Sequence, residues 1–273
     1  MTPTWRSDHP PPVTVIGWLG WGLAAGRGVA LLMLMATGLA VLALVRLGEA
    51  ILANRARPLS HQIPRIVCRL ALLLLGIRLL RTGQFDPAAS VVVANHASWL
   101  DILVLNALGP MTFVAKSEVA GWAGIGHLAR ATGTLFIARD RKQARQQEAM
   151  IRHRLAEGQR LTLFPEGTST DGLRVLAFKP TLFAALFAAD RQTKVQPVSI
   201  RYLPPAGVDP RFYGWWGAMD FGPHALTVLA QTRRGKVRVV LAEALDSSSF
   251  ADRKALALAC ETAVRQGHQA GNS

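Results

Sequence analysis

The stretch with the most potential for chemistry is residues 95–101, which read NHASWLD. It follows a run of valines and brings an imidazole, a hydroxyl and a carboxylate close together, on His96, Ser98 and Asp101. These are the side-chain types of a hydrolytic triad, in which a histidine activates a serine and a carboxylate orients the histidine. The first question is which of the three groups takes part in a reaction.

Ser98 is the weakest candidate for a catalytic group. The exposed serine of many hydrolases lies in a G-x-S-x-G elbow, and no serine of this chain has that surrounding sequence. A serine three residues before an acid, directly ahead of the apolar run ILVLNAL, is typical of a capping box. On this interpretation Ser98 caps a helix and Asp101 lies in its first turn.

His96 and Asp101 form the more informative pair. His96 precedes the predicted helix N-terminus, where the positive end of the helix dipole favours a neutral imidazole. Asp101 can reach back to one ring nitrogen and leave the other free to accept a proton. Because residues five apart do not share one face of a continuous helix, the pairing requires His96 to lie in the loop. The spacing predicts a general base and its orienting carboxylate; the alternative is a purely structural loop and helix start.

The surrounding sequence alternates between patterns typical of strands and of helices. The strands are predicted over SVVVANH, MTFVAK, GTLFIAR, RLTLFPEG and KVQPVSIRYL, and the helices over SWLDILVLNAL, AGWAGIGHLARA and RKQARQQEAMIRHRLAEG. Strands that alternate with helices indicate an α/β fold, with a layered mixed sheet flanked by helices. Ligands of such sheets bind at the loops beyond the strand ends, which is where His96, Arg139 and Glu166 fall.

The N-terminal region contains an apolar run close to the length that crosses a bilayer. Residues 28–45 carry no charge and lie between Arg27 and Arg46, near the lower limit for a hydrocarbon layer of about 30 Å. We predict a transmembrane or membrane-interfacial helix. A cleaved signal peptide would need a small-residue cleavage site after the run, and the sequence RLGEAILANRARP that follows fits such a site poorly. Arginines are more numerous after the run than before it, which predicts that the remaining chain lies in the cytoplasm.

Two further apolar features each allow two interpretations. Residues 70–77 are too short to span a bilayer and form either an interfacial helix or a helix packed on the domain. An aromatic cluster forms either an interfacial anchor or part of the core; it comprises Phe212, Tyr213, Trp215 and Trp216. Glycine and proline in RTGQFDPAAS predict a boundary between a membrane-anchoring segment, residues 1–84, and a second domain, residues 85–273.

The composition favours a membrane surface over nucleic acid as the partner. Half of the 273 residues are hydrophobic, and the formal net charge is +14. Nucleic-acid-binding proteins usually interleave base-stacking aromatic residues with their cations. No such interleaving is present, so we expect an anionic membrane surface and no nucleic acid. The two cysteines, Cys68 and Cys260, are too few for a disulfide scaffold or a metal cluster, so we expect packing residues and no metal.

Four segments of the second domain resemble, in the expected order, the motifs of the glycerolipid acyltransferases. The His-x4-Asp motif corresponds to NHASWLD, and the motif that follows corresponds to GTLFIARD, with Phe136 and Arg139 at matching positions. The Pro-Glu-Gly-Thr turn corresponds to LTLFPEGTST, and the last apolar strand to KVQPVSI. The four segments cover roughly residues 85–205, and the resemblance is to the 1-acylglycerol-3-phosphate acyltransferase type.

The resemblance implies transfer of a fatty acyl group from a thioester of acyl carrier protein or coenzyme A to the hydroxyl of a lysolipid, with no other cofactor. It implies that His96 takes the hydroxyl proton and that Asp101 orients His96. The substrate-binding residues that it implies are Arg139, Phe136, Glu166, Gly167 and Thr168. Lys116 and Lys179 lie near the motifs and could contact an anionic head group.

The acceptor that the resemblance favours is 1-acylglycerol-3-phosphate, which would give phosphatidic acid. Lyso-ornithine lipid is the alternative acceptor within the same class. Ala97 and Ala138 depart from residue types common in the family, which puts the edge of the acceptor pocket in doubt. The alternative from another class is a non-catalytic membrane-binding protein with the same fold.

Overall fold

The computed structural model describes residues 5–52, 59–121, 126, 129, 130, 133–137, 144–187 and 193–270. Its helices are α1 (Trp18–Ile51), α2 (Gln62–Leu74), α3 (Leu100–Leu108), α4 (Ala144–Ala156), α5 (Ala184–Phe187), α6 (Phe221–Ala230) and α7 (Arg253–Gln269). Its strands are β1 (Ile77–Thr82), β2 (Ala89–Ala94), β3 (Thr112–Lys116), β4 (Leu135–Ile137), β5 (Leu161–Leu163), β6 (Lys194–Leu203), β7 (Gly235–Leu241) and β8 (Leu245–Asp246). Most of the segment predicted as a helix over AGWAGIGHLARA lies outside these residues.

The strands form one mixed sheet in the order β1-β7-β6-β2-β5-β3-β4, and β8 pairs with β6. Strands β6, β2, β5, β3 and β4 run parallel, whereas β7 and β8 are antiparallel to β6. The five predicted strands are β2 to β6, which make up the parallel part of the sheet. The prediction of an α/β fold with a mixed sheet is confirmed.

Helices cover both faces of the sheet. Helices α2, α3 and α6 pack on one face, around Val92, Val198 and Ile200. Helices α5 and α7 pack on the other face, around Val91 and Val195. Because neighbouring residues of a strand point to opposite faces, the valine run of β2 supplies both cores, which explains why it is uniformly apolar.

The second apolar stretch belongs to the folded domain. Helix α2 packs on α3 with Cys68, Ala71 and Leu72 buried. The chain then turns at Gly76, whose φ of +69° suits glycine, and enters β1 at Ile77, which pairs with β7. Residues 70–77 are therefore packed on the domain, which is one of the two alternatives. Strand β1 precedes residue 84, so the predicted membrane-anchoring segment contributes a strand to the sheet.

Helix α1 contacts the domain at both of its ends. Near its N-terminus, the Arg27 guanidinium donates to the carbonyls of Leu229 (2.8 Å) and Gln231 (2.7 Å) at the end of α6. Near its C-terminus, Glu49 accepts the N–H of Ser60, just before α2. Carbonyls at a helix end lack intrahelical partners, so Arg27 supplies donors that α6 needs.

Helix α1 is also the candidate for membrane contact. Within the described ranges it is the one helix long and apolar enough to cross a membrane, by length and composition, with a mean hydropathy of 2.5 over its most apolar window. Large apolar side chains are exposed along it, which water disfavours and lipid favours. They include Trp18, Leu19, Trp21, Val29, Leu32, Met33, Leu44, Leu47 and Ile51.

The cysteines and most of the aromatic cluster are core residues. Cys68 and Cys260 are free and buried, and burial raises the pKa of each thiol to about 12, which keeps the thiols protonated and unreactive. Phe212, Tyr213 and Trp216 are buried as well. The core interpretation of the aromatic cluster therefore holds for these three residues.

Candidate active site

Two neighbouring parallel strands bring the site together. Strands β2 and β5 are paired in parallel, so the loops that follow them lie at the same edge of the sheet. The Asn95 side chain begins the loop after β2: its amide donates to the Ile200 carbonyl (2.9 Å), and its oxygen accepts the Ile200 N–H (2.7 Å). These bonds continue the pairing of β2 with β6 and hold the loop directly ahead of His96.

His96 and Asp101 are in direct contact. The ring Nδ1 lies 2.7 Å from Oδ2 of the buried Asp101 carboxylate. Since a carboxylate accepts hydrogen bonds, Nδ1 is the donor, and in the neutral ring Nε2 then carries the lone pair. The loop histidine and the first-turn aspartate therefore meet, in the tautomer that a general base requires.

The Asp101 carboxylate accepts four hydrogen bonds in a place that water does not reach. In addition to His96, Oδ2 accepts the N–H groups of Ala97 (2.8 Å) and Ser98 (3.0 Å), and Oδ1 accepts the Tyr202 hydroxyl at 2.7 Å. Burial, reinforced by the adjacent carboxylate, raises the pKa of Tyr202 well above its usual value, so the hydroxyl stays protonated and donates. The four donors hold the carboxylate in one orientation against the His96 ring.

Ser98 stabilises the start of α3. Its Oγ accepts the N–H of Leu100 (3.3 Å), and its own N–H donates to Asp101 (3.0 Å). This exchange resembles the reciprocal bonding of a capping box. The helix begins at Leu100 after the N-cap residue Trp99, one residue later than a Ser98 cap predicts.

The His96 side chain is partly exposed. The ring stacks on Phe164, with 4.2 Å between centroids and 20° between planes, and 21% of the His96 side chain is exposed. Among the described residues, none forms a hydrogen bond with Nε2. The same residues contain no group of three His, Cys, Asp or Glu side chains placed to hold a metal ion. The arrangement offers an oriented nitrogen lone pair that can remove a proton from a hydroxyl.

Glu166 contacts the main chain of the loop that carries His96. It is 1% exposed; Oε1 accepts the His96 N–H at 2.9 Å, and Oε2 accepts the Leu176 N–H at 3.3 Å. Burial raises the pKa of Glu166 to about 8, against the smaller opposing effect of these two bonds. Its side chain joins the loop after β2 to the segment after β5 and holds the main chain of His96.

The raised pKa of Glu166 predicts how folding stability depends on pH. The ordinary value is 4.5 and the folded value is about 8, so between these pH values the folded protein binds more protons than the unfolded chain. Its stabilising contribution is therefore complete below pH 4.5 and is lost as the pH rises through 8. We expect Glu166→Gln, which resembles the neutral carboxyl, to reduce the fall in melting temperature over this range. The exposed-site variant Glu157→Gln is the control; equal slopes for both variants and the wild type would contradict the prediction.

Comparison with known proteins decides the family. A family model described as Acyltransferase matches residues 82–201. The chain is 47% identical over 267 residues to a lyso-ornithine lipid O-acyltransferase of Rhodobacter capsulatus, and the alignment covers 97% of each protein. The chain belongs to the acyltransferase family. The resemblance to this family and the prediction of an O-acyltransferase are confirmed.

Other relatives of this acyltransferase have a different named acceptor. It is 32% identical over 198 residues to a 1-acyl-sn-glycerol-3-phosphate acyltransferase of Neisseria meningitidis, covering 72% of this chain and 76% of that protein. The crystal structure of the 1-acyl-sn-glycerophosphate acyltransferase from Thermotoga maritima matches with a TM-score of 0.58 at 22% identity, covering 89% of this chain and 97% of that one. The two proteins share the fold.

The Pro-Glu-Gly-Thr turn of the acyltransferase borders the site. The Gly167 N–H donates to the Phe164 carbonyl at 3.0 Å, and Gly167 has a φ of +68°. The turn is therefore tight, with a proline in its second position. Thr168 accepts the N–H of Trp5 at 3.3 Å, which brings the N-terminal segment close to the turn. The role of Gly167 and Thr168 in an acceptor pocket stays a prediction.

The remaining predicted substrate-binding residues are spread along the sheet. Lys179 is exposed, and its main-chain N–H donates to the Pro165 carbonyl at 2.9 Å, close to the turn. Phe136 is half-buried in β4, and Lys116 is the last residue of β3, with a side chain outside the described part. Arg139 lies outside the described residues. Contacts of these four residues with a lysolipid stay predictions.

Three positioning residues were missed by the sequence analysis, namely Asn95, Phe164 and Tyr202. The last β2–β6 pair is Ala94 with Val198, and β6 continues to residue 203. The overhanging end of β6 therefore stands beside the loop and supplies the Tyr202 hydroxyl. The available signal was the length of this strand, which exceeds that of its parallel neighbours.

Removal of the Tyr202 hydroxyl is expected to lower kcat about tenfold, because a hydrogen bond to a charged group contributes about 1.5–3 kcal/mol. We expect Tyr202→Phe to leave the KM values nearly unchanged, since Tyr202 contacts Asp101 and not the open edge of the site. Tyr213→Phe is the matched control. The two rings are 5.6 Å apart, and the Tyr213 hydroxyl has no hydrogen-bond partner among the described residues. Equal losses of kcat in both variants would refute the prediction.

Proposed function

We propose that this acyltransferase transfers a fatty acyl group from a thioester of acyl carrier protein or coenzyme A to the free hydroxyl of a lysolipid, with His96 as general base. The observation that carries the proposal is the His96–Asp101 pair, in which Nδ1 is bonded to Oδ2 at 2.7 Å and 21% of the His96 side chain is exposed. An alcohol keeps its proton at neutral pH, and a neutral hydroxyl is too poor a nucleophile to attack a thioester unaided. A positioned base contributes roughly 10²- to 10⁴-fold to such a reaction.

The chemistry needs two proton movements. Nε2 of His96 takes the hydroxyl proton while the hydroxyl oxygen attacks the thioester carbonyl carbon. The tetrahedral intermediate then breaks its C–S bond, and the departing thiolate takes the proton from Nε2. The products are an ester and a thiol, and His96 returns to its starting tautomer. The Asp101 charge stabilises the imidazolium that exists between the two steps.

Lyso-ornithine lipid is the acceptor that we propose first. The support is the 47% identity, over 97% of both chains, to a relative with that named activity. The second candidate is 1-acylglycerol-3-phosphate, which the motifs favoured and which the Neisseria meningitidis relative takes by name, at 32% identity. Both acceptors present a hydroxyl to the same base, so His96 and Asp101 act alike with either.

A competition assay distinguishes the acceptors. The purified protein is offered both lysolipids together with one acyl donor, and the two products are quantified. We expect the acylated ornithine lipid to predominate. Predominance of phosphatidic acid would reverse the order of the candidates. Free fatty acid released without any lysolipid would indicate a hydrolase, and absence of every product would favour the non-catalytic membrane-binding alternative.

The long apolar helix and the lipid-modifying relatives support association with a membrane. We extend this to the bacterial inner membrane with the catalytic domain on the cytoplasmic side. The support for the finer statement is the excess of arginines after residue 45, which the positive-inside tendency associates with the cytoplasm. The overall charge of +14 suits an anionic membrane surface.

A further inference from the structure

Four cations share one face at the end of the sheet, and we call this group the basic face: Arg78, Arg201, Lys236 and Arg238. Arg78 of β1 is directly opposite Lys236 of β7, and Arg238 of β7 is directly opposite Arg201 of β6. Directly opposite residues on one sheet face have neighbouring side chains. Helix α7 packs on this side of β6 and β7 with Gly267 against Ser199, and the basic face lies beyond that contact.

The basic face has no acidic partner within the described part of the chain. None of its four side chains forms an ion pair there. Arg201 donates to the main-chain carbonyl of His268 (2.9 Å), and the buried Nη1 of Arg238 has no hydrogen-bond partner among the described residues. Arg233 and Arg234, exposed in the turn before β7, add further positive charge. Like charges directly opposite each other destabilise a sheet, and an anionic partner would offset that repulsion.

The basic face lies at the same edge of the sheet as His96. Strand β6 runs parallel to β2, and β7 and β1 run the opposite way, so the end of β6 and the beginnings of β7 and β1 meet where β2 ends. Three contacts connect the basic face with the loop that carries His96. Arg201 bonds the His268 carbonyl, the His268 ring donates to the Gly172 carbonyl at 3.1 Å, and Gly172 packs against Ala97 in the catalytic loop.

We propose that the basic face is the docking surface for an acidic carrier protein that presents the acyl thioester to His96. This inference rests on the proposed function and adds to it the surface that recognises the donor. A lipid surface would contact exposed apolar residues, and those of α2, namely Ile66, Leu70 and Leu73, belong to the layer on the opposite face of the sheet. A soluble protein therefore fits the basic face better than lipid does. Complementary charge increases both the rate and the strength of such an association.

Charge reversal tests the docking surface by direct binding. Fluorescence anisotropy of labelled acyl carrier protein is measured with His96→Ala protein, which keeps the surface but does not turn over the thioester. We expect the added pair Arg78→Glu and Lys236→Glu to raise Kd at least about tenfold and to weaken its dependence on salt. The control pair is Arg253→Glu and Lys254→Glu, an equal charge change at the other end of α7, about 25 Å away along the helix; it should leave Kd unchanged.

Kinetics test the same surface with two donors. In the His96-containing protein, we expect charge reversal of Arg78 and Lys236 to raise KM for the acyl-carrier thioester, with no change for an acyl-pantetheine thioester that lacks the protein. Binding to vesicles with 30% phosphatidylglycerol is measured in parallel and should not change. If glutamate at these positions prevents folding, judged by the melting temperature, glutamine replaces it and smaller shifts in the same direction are expected.

Several results would overturn the docking proposal. Equal Kd values for the reversed and control pairs would do so, and so would loss of vesicle binding with an unchanged Kd for the carrier, which would assign the basic face to the membrane. An absence of acyl transfer by the wild type, together with charge-dependent carrier binding, would instead refute the proposed function and leave the docking surface standing.

Discussion

Replacement of His96 by alanine is expected to lower kcat by roughly 10²- to 10⁴-fold, the contribution of a positioned general base. The variant removes Nε2, which forms no hydrogen bond with any described residue, and leaves the acceptor hydroxyl without a group to take its proton. The Asp101 carboxylate keeps its bonds to Ala97, Ser98 and Tyr202, so the loop should remain folded. Initial rates of acyl transfer under saturating donor and acceptor measure the effect.

The control for this variant is His153→Ala. His153 lies on α4 with 72% of its side chain exposed, and it pairs with Glu157 at 3.5 Å. We expect wild-type rates from it. Residual activity of His96→Ala above about a tenth of wild type would be too high for loss of a general base and would remove His96 from that role.

Replacement of Asp101 by asparagine is expected to lower kcat by about 10²-fold or more. The main-chain N–H groups of Ala97 and Ser98 both point at Oδ2, so the amide oxygen must take that position. The His96 Nδ1–H then keeps an acceptor, and the ring keeps its tautomer. The variant loses the negative charge beside the imidazolium, so the decrease in kcat measures how much that charge contributes to the rate.

The Asp101→Asn result is checked by measuring kcat separately from the KM values. We expect kcat to fall while both KM values stay close to those of the wild type, because Asp101 is fully buried and does not reach substrate. Asp246→Asn, at an exposed carboxylate that bonds Ser248, is the control with unchanged kcat. An Asp101→Asn enzyme with full activity would show that the imidazolium needs no counter-charge.

The contact between His96 and Asp101 could be predicted because it is local. A loop residue just ahead of a helix and an acid in the first turn are brought together by the helix start itself, whatever surrounds them. The strands β2 and β6 could be predicted for a similar reason, since their runs of β-branched residues carry their own signal. Strand β1 was missed because its sequence, IRLLRT, continues the apolar character of α2 and mixes it with arginines.

The residues that complete the site come from distant parts of the chain. Glu166 is 70 residues from His96, and Tyr202 is 101 residues from Asp101. Whether these pairs meet depends on the strand order β6-β2-β5 and on how far β6 extends beyond β2. Strand order and register are properties of the sheet as a whole, and no stretch of local sequence contains them.

The sequence by itself determined the acyltransferase class, the contact between His96 and Asp101, and the parallel strands, because each depends on residues close together along the chain. The tertiary structure decided that Glu166 holds the His96 main chain, that Tyr202 bonds the buried carboxylate, and that α1 lies against the domain through Arg27. It also decided that cations from three strands share one face. The physical reason is that these features arise from pairing between strands and helices far apart in sequence, where burial and register, and not local preference, choose the partner.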